Sequence, residues 1–567
     1  MHNLSLLGSE QFDVLVIGGG VTGAGVALDA VARGYKVALV EKVDFASGTS
    51  SKSTKLVHGG IRYLPNFDFA LVHEALVERG ILLQNAPFLV QPVGFVLPLY
   101  KGDRHPVGVP FTTPGGFGLG LIMDIGLWLY DGMAGLLVGR RSVQRHHRLS
   151  REEVIKRAPA LVTKGLKEGF IYYDAQTNDA RLTLNLIRTA AQFGATIANY
   201  AEVTSFITEQ GKVSGAHVCD RLDNQSLVVH ARHIVNATGV FSEQVEALTE
   251  YQPQVQVEPS KGVHLVFSRE DVKLGNDAVV LPETDDRRIL FLVPWESRAI
   301  FGTTDTGSGD LDHPIATRAD ISYLLHHLNR YLSVNLTEDN IISTYAGYRP
   351  LLSSRGPAHS TAKLSRTHAV LQSPSGLVTI VGGKLTTYRR MAQDTVDVLS
   401  RRDSMTLYHP TEHLPLQGGA AWPIKQRDME AKGRGLGLSQ EILKHLGNSY
   451  GSEALTILDL IVNDATLGKR LINDLPFIRA EVVYACHQEM ALTPHDVLAR
   501  RTSIIIEDRQ RGLGILEEVA ALMAQELGWS PEQQQITIAG YRDAIHLLMS
   551  AEAPLLANLI QKHGTET

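Results

Sequence analysis

Val14-Leu15-Val16-Ile17-Gly18-Gly19-Gly20-Val21-Thr22-Gly23 decides the fold. Four consecutive apolar residues are what a strand buried on both faces of a parallel sheet requires. The glycines that follow match G-x-G-x-x-G. Val26, Ala27, Ala30 and Val31 then carry a helix that stops at Arg33-Gly34. Val37-Ala38-Leu39-Val40 is the next strand, and Glu41 closes it about 20 residues beyond the last glycine, as in a dinucleotide-binding βαβ unit. Gly18 makes the tight turn, Gly20 lets the backbone approach a pyrophosphate, and Gly23 lets the helix pack close to the strand. First-turn N–H groups and the helix dipole would hold the phosphates. Glu41 would accept hydrogen bonds from both ribose hydroxyls of an adenosine and repel a 2′-phosphate, which disfavours NADP. The fingerprint alone leaves FAD and NAD open.

Further along, Ile234-Val235-Asn236-Ala237 with Thr238-Gly239, and Val378-Thr379-Ile380-Val381 with Gly382-Gly383, read as more strands of the same sheet. A helix runs from Thr386 towards Leu399. Residues 251–345 alternate more and carry turn signals such as Pro282 and Pro294, which predicts an antiparallel, β-rich insertion. Pro410, Pro415, Gly418 and Gly419 mark a linker, and the chain beyond them is helical. Thr493-Pro494-His495-Asp496 and Ser530-Pro531-Glu532-Gln533 are helix starts with a capping residue and a proline at the first helical position. The stripes Leu455, Leu458, Val462 and Val519, Ala520, Met523, Leu527 each occupy one helix face and are expected in the core. The expected organisation is an α/β protein in three parts. A Rossmann-like dinucleotide domain takes about 12–85, 150–250 and 345–400, and an antiparallel β-rich substrate domain takes about 86–149 and 251–344. An all-helical domain spans 411–567.

The 567 residues exceed what one core usually holds. There are 54 lysines and arginines against 60 acids, a net charge of −6 that argues against a nucleic-acid partner. The two cysteines, Cys219 and Cys486, form no CxxC, so a disulfide framework and a cysteine metal site are not expected. No other metal site is expected either. The N-terminus has no basic and apolar signal-peptide pattern, so a signal peptide is not expected. Phe117 to Val138 is the most apolar stretch, but glycines, Asp124 and Asp131 interrupt it. It reads as a buried irregular segment beside the basic run Arg140, Arg141, Arg145, His146, His147 and Arg148. A membrane-surface anchor carrying Leu127, Trp128, Leu129 and Tyr130 is the alternative.

The run Ser47-Gly48-Thr49-Ser50-Ser51-Lys52-Ser53-Thr54-Lys55-Leu56-Val57-His58-Gly59-Gly60-Ile61-Arg62-Tyr63-Leu64 resembles the FAD-dependent, aerobic glycerol-3-phosphate dehydrogenases. The resemblance continues through Asn178-Asp179-Ala180-Arg181-Leu182, Val235 to Gly239, Lys261-Gly262-Val263-His264, Gly302 to Asp305, Tyr345 to Leu351, Gly382 to Arg389 and Asp496 to Thr502. It covers nearly the whole chain. Asn178 stands where relatives usually carry an acid, and 102–140 is less basic than in many of them. The resemblance implies an amino-acid-oxidase-like flavoprotein fold. It implies oxidation of sn-glycerol 3-phosphate to dihydroxyacetone phosphate by hydride transfer to FAD, with electrons passed to a membrane quinone. It further implies a cytoplasmic enzyme, peripheral on a membrane surface, and a homodimer. An oxidase of the same substrate that uses O2 is the nearest alternative. An amine or amino-acid oxidase of related fold and a flavin-binding module without activity are more distant ones.

Such chemistry needs cations for a phosphate dianion and a base for the hydroxyl proton. Arg62, Arg349 and Lys384 are the cationic candidates, and one or two of them would instead stabilise the forming carbonyl or the reduced flavin. His58 and His264 are both base candidates, and the sequence does not choose between them. Tyr63 either donates a hydrogen bond to substrate or packs as a half-buried ring. The cofactor loop would use Gly18, Gly20, Gly23, Glu41, Thr49, Ser50, Ser51, Gly59, Ala237 and Gly239. Gly383, Lys384, Leu385 and Thr386 begin a helix whose N-terminus suits the pyrimidine side of a reduced flavin.

Overall fold

The computed structural model describes residues 4–66, 68–103, 119–136, 143–254, 256–281, 284–286, 288–307, 309–352 and 367–563. Two sheets organise the first four hundred residues. In the first, Val378–Val381, Ser226–Asn236, Gln11–Ile17, Val37–Val40 and Thr196–Ala198 lie side by side and parallel. Every residue of Val37–Val40 and Val378–Val381 is buried, as helices covering both faces demand. Ala369–Gln372 closes one edge antiparallel, and the hairpin Ala201–Glu209/Lys212–Asp220 extends from Ser226–Asn236. The helices Val21–Ala32, Asp179–Gln192 and Tyr388–Arg402 share one core with this sheet.

Among the described residues the second sheet has nine strands and is largely antiparallel. At one edge lies the long pair Val257–Ser268 and Ile341–Leu352, which puts Ser260 opposite Arg349 and His264 opposite Tyr345. Arg298–Gly302 flanks Val257–Ser268 on the other side and sets Gly302 opposite His264. Ala278–Leu281 pairs parallel with Gln91–Tyr100.

The structure redraws the expected domain pieces. Leu56–Val57, Leu166–Gln176 and Ile341–Leu352 all pair within the second sheet, although the sequence grouped them, wholly or for the most part, with the dinucleotide half. Local pattern gives a strand, while its partner is set by residues far away in the chain. The helices from Trp422 to Asn463 merge with the core of the first sheet through Trp422, Ile442, Leu446 and Leu458, whereas most of the buried apolar residues of 471–545 build a separate core, with Ile478, Ala480, Tyr484 and Met490 turned to the first. Val462, expected inside, is 58% exposed. Ala454, Ile457, Leu458 and Ile461 form the buried face instead, because Leu455 and Val462 flank that stripe rather than lead it. Val519, Ala520 and Met523 are buried as expected, with Leu527 packed against them.

The described part of the stretch Phe117 to Val138 is not irregular either. Leu119–Leu136 is a regular helix. Leu119, Met123, Leu127 and Tyr130 pack inward, while Leu121, Ile125, Trp128 and Leu129 stand exposed on the opposite side. Glycine costs a helix only about 1 kcal/mol, so two apolar faces outweighed the interruptions. Arg140 and Arg141 lie outside the described residues. Among the described residues, no helix is long and apolar enough to cross a membrane.

Candidate active site

Gly18 adopts φ +109°, and a Cβ there would sit 2.8 Å from the Ala237 carbonyl. A Cβ on Gly23 would collide with the Gly18 carbonyl. These two positions force the strand–turn–helix to be glycine. Gly20 precedes the helix Val21–Ala32 without any side-chain cap of its own, and Val21 N–H donates to Ser50 Oγ at 2.8 Å. The remaining first-turn donors are what a helix start offers an anion. Glu41 is held by Gly19 N–H at 2.7 Å and Val43 N–H at 3.0 Å. Burial raises its pKa, and those two donors oppose the rise. Each oxygen keeps a lone pair for a ribose hydroxyl. Ala237 is buried against the turn, and Gly239, at φ +61°, faces open space at the strand end. Cleared glycines, a helix start and a fixed acid together fit an adenine dinucleotide of the FAD type.

From there Thr49 to Tyr63 crosses the second sheet as a strap. Thr49 Oγ1 donates to the Tyr348 carbonyl at 2.6 Å, and the Ser51 carbonyl accepts from Lys55 Nζ at 3.2 Å. Lys52 lies over Gly347, where a Cβ would come within 2.7 Å of its own Cβ. Burial, followed by Arg500, pulls the Lys52 pKa down to about 8. Thr54 Oγ1 lies 2.9 Å from His264 Nε2.

Residues 260, 262 and 264 share one sheet face by the two-residue period of a strand. Gly262 leaves room for the Arg349 guanidinium, whose Nη2 would be 2.6 Å from a Cβ there. Arg349 donates to Ser260 Oγ at 3.3 Å, Thr303 Oγ1 at 3.2 Å and the Thr304 carbonyl at 3.2 Å. His264 stacks on Tyr345 with ring centroids 4.6 Å apart, and its buried Nδ1 has no hydrogen-bond partner among the described residues. Burial, then the positive charges of Arg349 and Lys55, hold its pKa well below the usual histidine range. At neutral pH this is a neutral imidazole beside the Arg349 guanidinium.

At the far end of the strap, Thr386 Oγ1 accepts from His58 N–H at 3.1 Å. Lys384 Nζ lies 4.1 Å from the centroid of the Tyr63 ring, above Gly60. Gly382 and Gly383 both have positive φ, and a Cβ on Gly383 would strike Met391. Leu385 and Thr386 follow in the 3-10 turn that leads into Tyr388–Arg402. Gly59 is packed against Leu76 and Tyr130. The Arg62 side chain lies outside the described residues. The structure therefore brings His264 to Arg349 and Lys384 to Tyr63, with His58 fixed to the Thr386 turn. Thr54, Thr303 and Tyr345 are partners that local sequence did not single out, since each acts through a neighbour distant in the chain.

The depressed His264 pKa has a measurable consequence. In the unfolded chain the ring takes its proton near 6.5, and in the fold only at lower pH. Its contribution is complete above pH 6.5 and is lost as pH falls towards the folded value, by about 1.4 kcal/mol per unit. Urea midpoints of His264→Gln at pH 7.5 and 5.5 should therefore lie closer together than those of the wild type. An equal spacing would contradict a neutral buried ring.

Residues 13–389 match the family described as FAD dependent oxidoreductase, and 409–534 match that described as the C-terminal domain of alpha-glycerophosphate oxidase. Glycerol-3-phosphate dehydrogenase 2 of Mycobacterium tuberculosis is 38% identical over 555 residues, 96% of this chain and 90% of that protein. The mitochondrial glycerol-3-phosphate dehydrogenase of Mus musculus is 38% identical over 557 residues, 94% of this chain and 73% of that protein. The crystal structure of the glycerol-3-phosphate dehydrogenase from Bacillus halodurans, complexed with FAD, superposes with a TM-score of 0.77 at 30% identity and covers 96% of both chains.

Proposed function

The chain belongs to the FAD-dependent glycerol-3-phosphate dehydrogenase family, and from that premise we propose that it oxidises sn-glycerol 3-phosphate to dihydroxyacetone phosphate and passes the electrons to a membrane quinone. Bound FAD supplies the acceptor for the C2 hydride. The single observation behind the reading is a guanidinium beside a neutral buried imidazole on a sheet face cleared by Gly262, Gly302 and Gly347. Arg349 clasps the phosphate with its fork of donors. His264 Nδ1 receives the C2 hydroxyl proton while Thr54 holds Nε2. The incoming dianion offsets the Arg349 charge that depresses His264, so substrate itself makes the base stronger. Lys384, beside Tyr63, offers a positive charge to the developing oxygen.

The quinone reading draws on the helix Leu119–Leu136. Its exposed Leu121, Ile125, Trp128 and Leu129 suit the acyl boundary of a bilayer, and Arg145, 5.7 Å from the Trp128 ring, suits anionic headgroups. On the inner side Met123 joins Leu56, His58, Ile61, Phe95, Tyr172 and Phe291 around a small apolar pocket of about 40 Å³. The protein then works as a peripheral enzyme on the cytoplasmic face. In the test, the purified yellow protein is mixed anaerobically with sn-glycerol 3-phosphate. Its flavin absorbance near 450 nm should bleach, and a quinone should restore it faster than air. Faster return with air, with peroxide released, would make the protein an oxidase, and no bleaching would refute the substrate.

A further inference from the structure

One buried carboxylate, outside the substrate face, joins three elements. Asp174 lies on the strand Leu166–Gln176. Its Oδ1 accepts from Gly59 N–H at 3.2 Å. The Tyr130 hydroxyl, from the middle of Leu119–Leu136, lies 2.8 Å from Oδ1 and 2.9 Å from Oδ2. Arg79, from the helix Phe69–Asn85, completes the group with an ion pair to Oδ1. All of these side chains are buried, so the carboxylate is held on every side in a low-dielectric setting.

Gly59 directly follows His58 and precedes Gly60 and Tyr63. A Cβ on Gly59 would collide with the Tyr130 hydroxyl and with Leu76, so no slack separates the loop from the helix. Met123 and Leu127, on the same inner face as Tyr130, pack in one cluster with Leu56 and Leu64, and Ile61 and Tyr63 pack against that cluster. The outer face of this helix is the exposed apolar one. A helix moves as a unit, and close-packed contacts pass small displacements on rather than absorb them.

We propose that Asp174 is a positioning residue that, through Tyr130 and Gly59, ties the lipid-facing helix to the loop carrying His58 and Tyr63, so that seating of the helix on a membrane tightens substrate binding. This inference rests on the membrane contact read above. Asp174 touches no substrate atom; it acts through Gly59.

The test measures KM for sn-glycerol 3-phosphate with a soluble dye acceptor, with and without vesicles of phosphatidylcholine and phosphatidylglycerol. Co-sedimentation is measured on the same samples. Vesicles should lower the wild-type KM by about fivefold, a modest coupling by the scale of allosteric linkage. Tyr130→Phe should sediment like the wild type yet lose that response, with kcat changed less than KM. Asp174→Asn, which keeps the shape but not the charge, should lose the response as well and serves if Tyr130→Phe folds poorly. A Tyr130→Phe protein that keeps the full response overturns the coupling, as does a wild type that sediments without any change in KM. A wild type that stays in the supernatant overturns the membrane contact and the coupling together.

Discussion

Replacing Arg349 by alanine should lower kcat/KM for sn-glycerol 3-phosphate by about a thousandfold, since truncating one partner of a desolvated charge pair costs about 4 kcal/mol and each 1.4 kcal/mol is tenfold. The guanidinium is held by Ser260, Thr303 and the Thr304 carbonyl, so it is already aimed and substrate does not have to order it. Arg349→Lys should recover only a part, because an ammonium lacks the planar fork. A second readout separates lost binding from general damage. Arg349 is the larger of the two cations that depress the His264 pKa. Without it that pKa rises, and the acid limb of the residual pH–rate profile should move to higher pH. Steady-state kinetics with a soluble acceptor from pH 5.5 to 9 measures both. A loss below tenfold would place the phosphate elsewhere, and an unmoved acid limb would show that His264 is not the base.

The second large effect lies at the seam between the cofactor domain and the helical tail. Asp44, three residues past Glu41, is fully buried. It pairs with both Arg500 and Arg501 and accepts from Asn199 Nδ2 at 3.1 Å. Although burial opposes it, the two guanidinium groups hold the Asp44 carboxyl well below the usual carboxylate range. Asp44→Asn keeps the shape and removes the charge, which leaves buried Arg501 without its carboxylate and Arg500 with Asp496 alone. The expected loss is about 3–5 kcal/mol in urea denaturation. The pH dependence has a definite sign. A depressed carboxylate contributes above its unfolded value near 3.8 and is lost as pH falls towards its folded one. The variant should accordingly lose less stability than the wild type on acidification below about pH 4. The Tyr200 carbonyl accepts from Arg221 N–H, its hydroxyl reaches Asp496, and Tyr200 N–H donates to the Val43 carbonyl. The seam therefore borders the Glu41 turn, and the flavin-to-protein ratio should fall in the same variant. A normal ratio together with wild-type stability would show that the seam does not support the cofactor loop.

Much of the candidate site could be read from the chain. Gly18, Gly20, Gly23 and Glu41 were legible because a tight turn, a close helix approach and a strand-end acid are properties of a few consecutive residues. His264, Arg349, Lys384 and Tyr63 were legible as residue types within motifs, though not as pairs. The preference for His264 as base came only from geometry: Thr54 takes one ring nitrogen and leaves the other buried and, among the described residues, unbonded. Asp174 was invisible, because an isolated acid in a strand acquires meaning only from Tyr130, Arg79 and Gly59 around it.

The division follows the range of the forces. Backbone sterics and hydrophobic period act over about a turn or a strand, so sequence alone determined the βαβ unit with its glycines, the presence of a second β-rich layer and the helical tail. Register, burial and charge pairing act between residues separated by tens or hundreds of positions. Tertiary structure therefore decided that Ile341–Leu352 belongs to the second sheet, that Val462 faces water and that Leu119–Leu136 turns one apolar face outward. It also decided that Arg349 lies over Gly262 beside His264, since only the pairing of two strands across the sheet sets those side chains on one face.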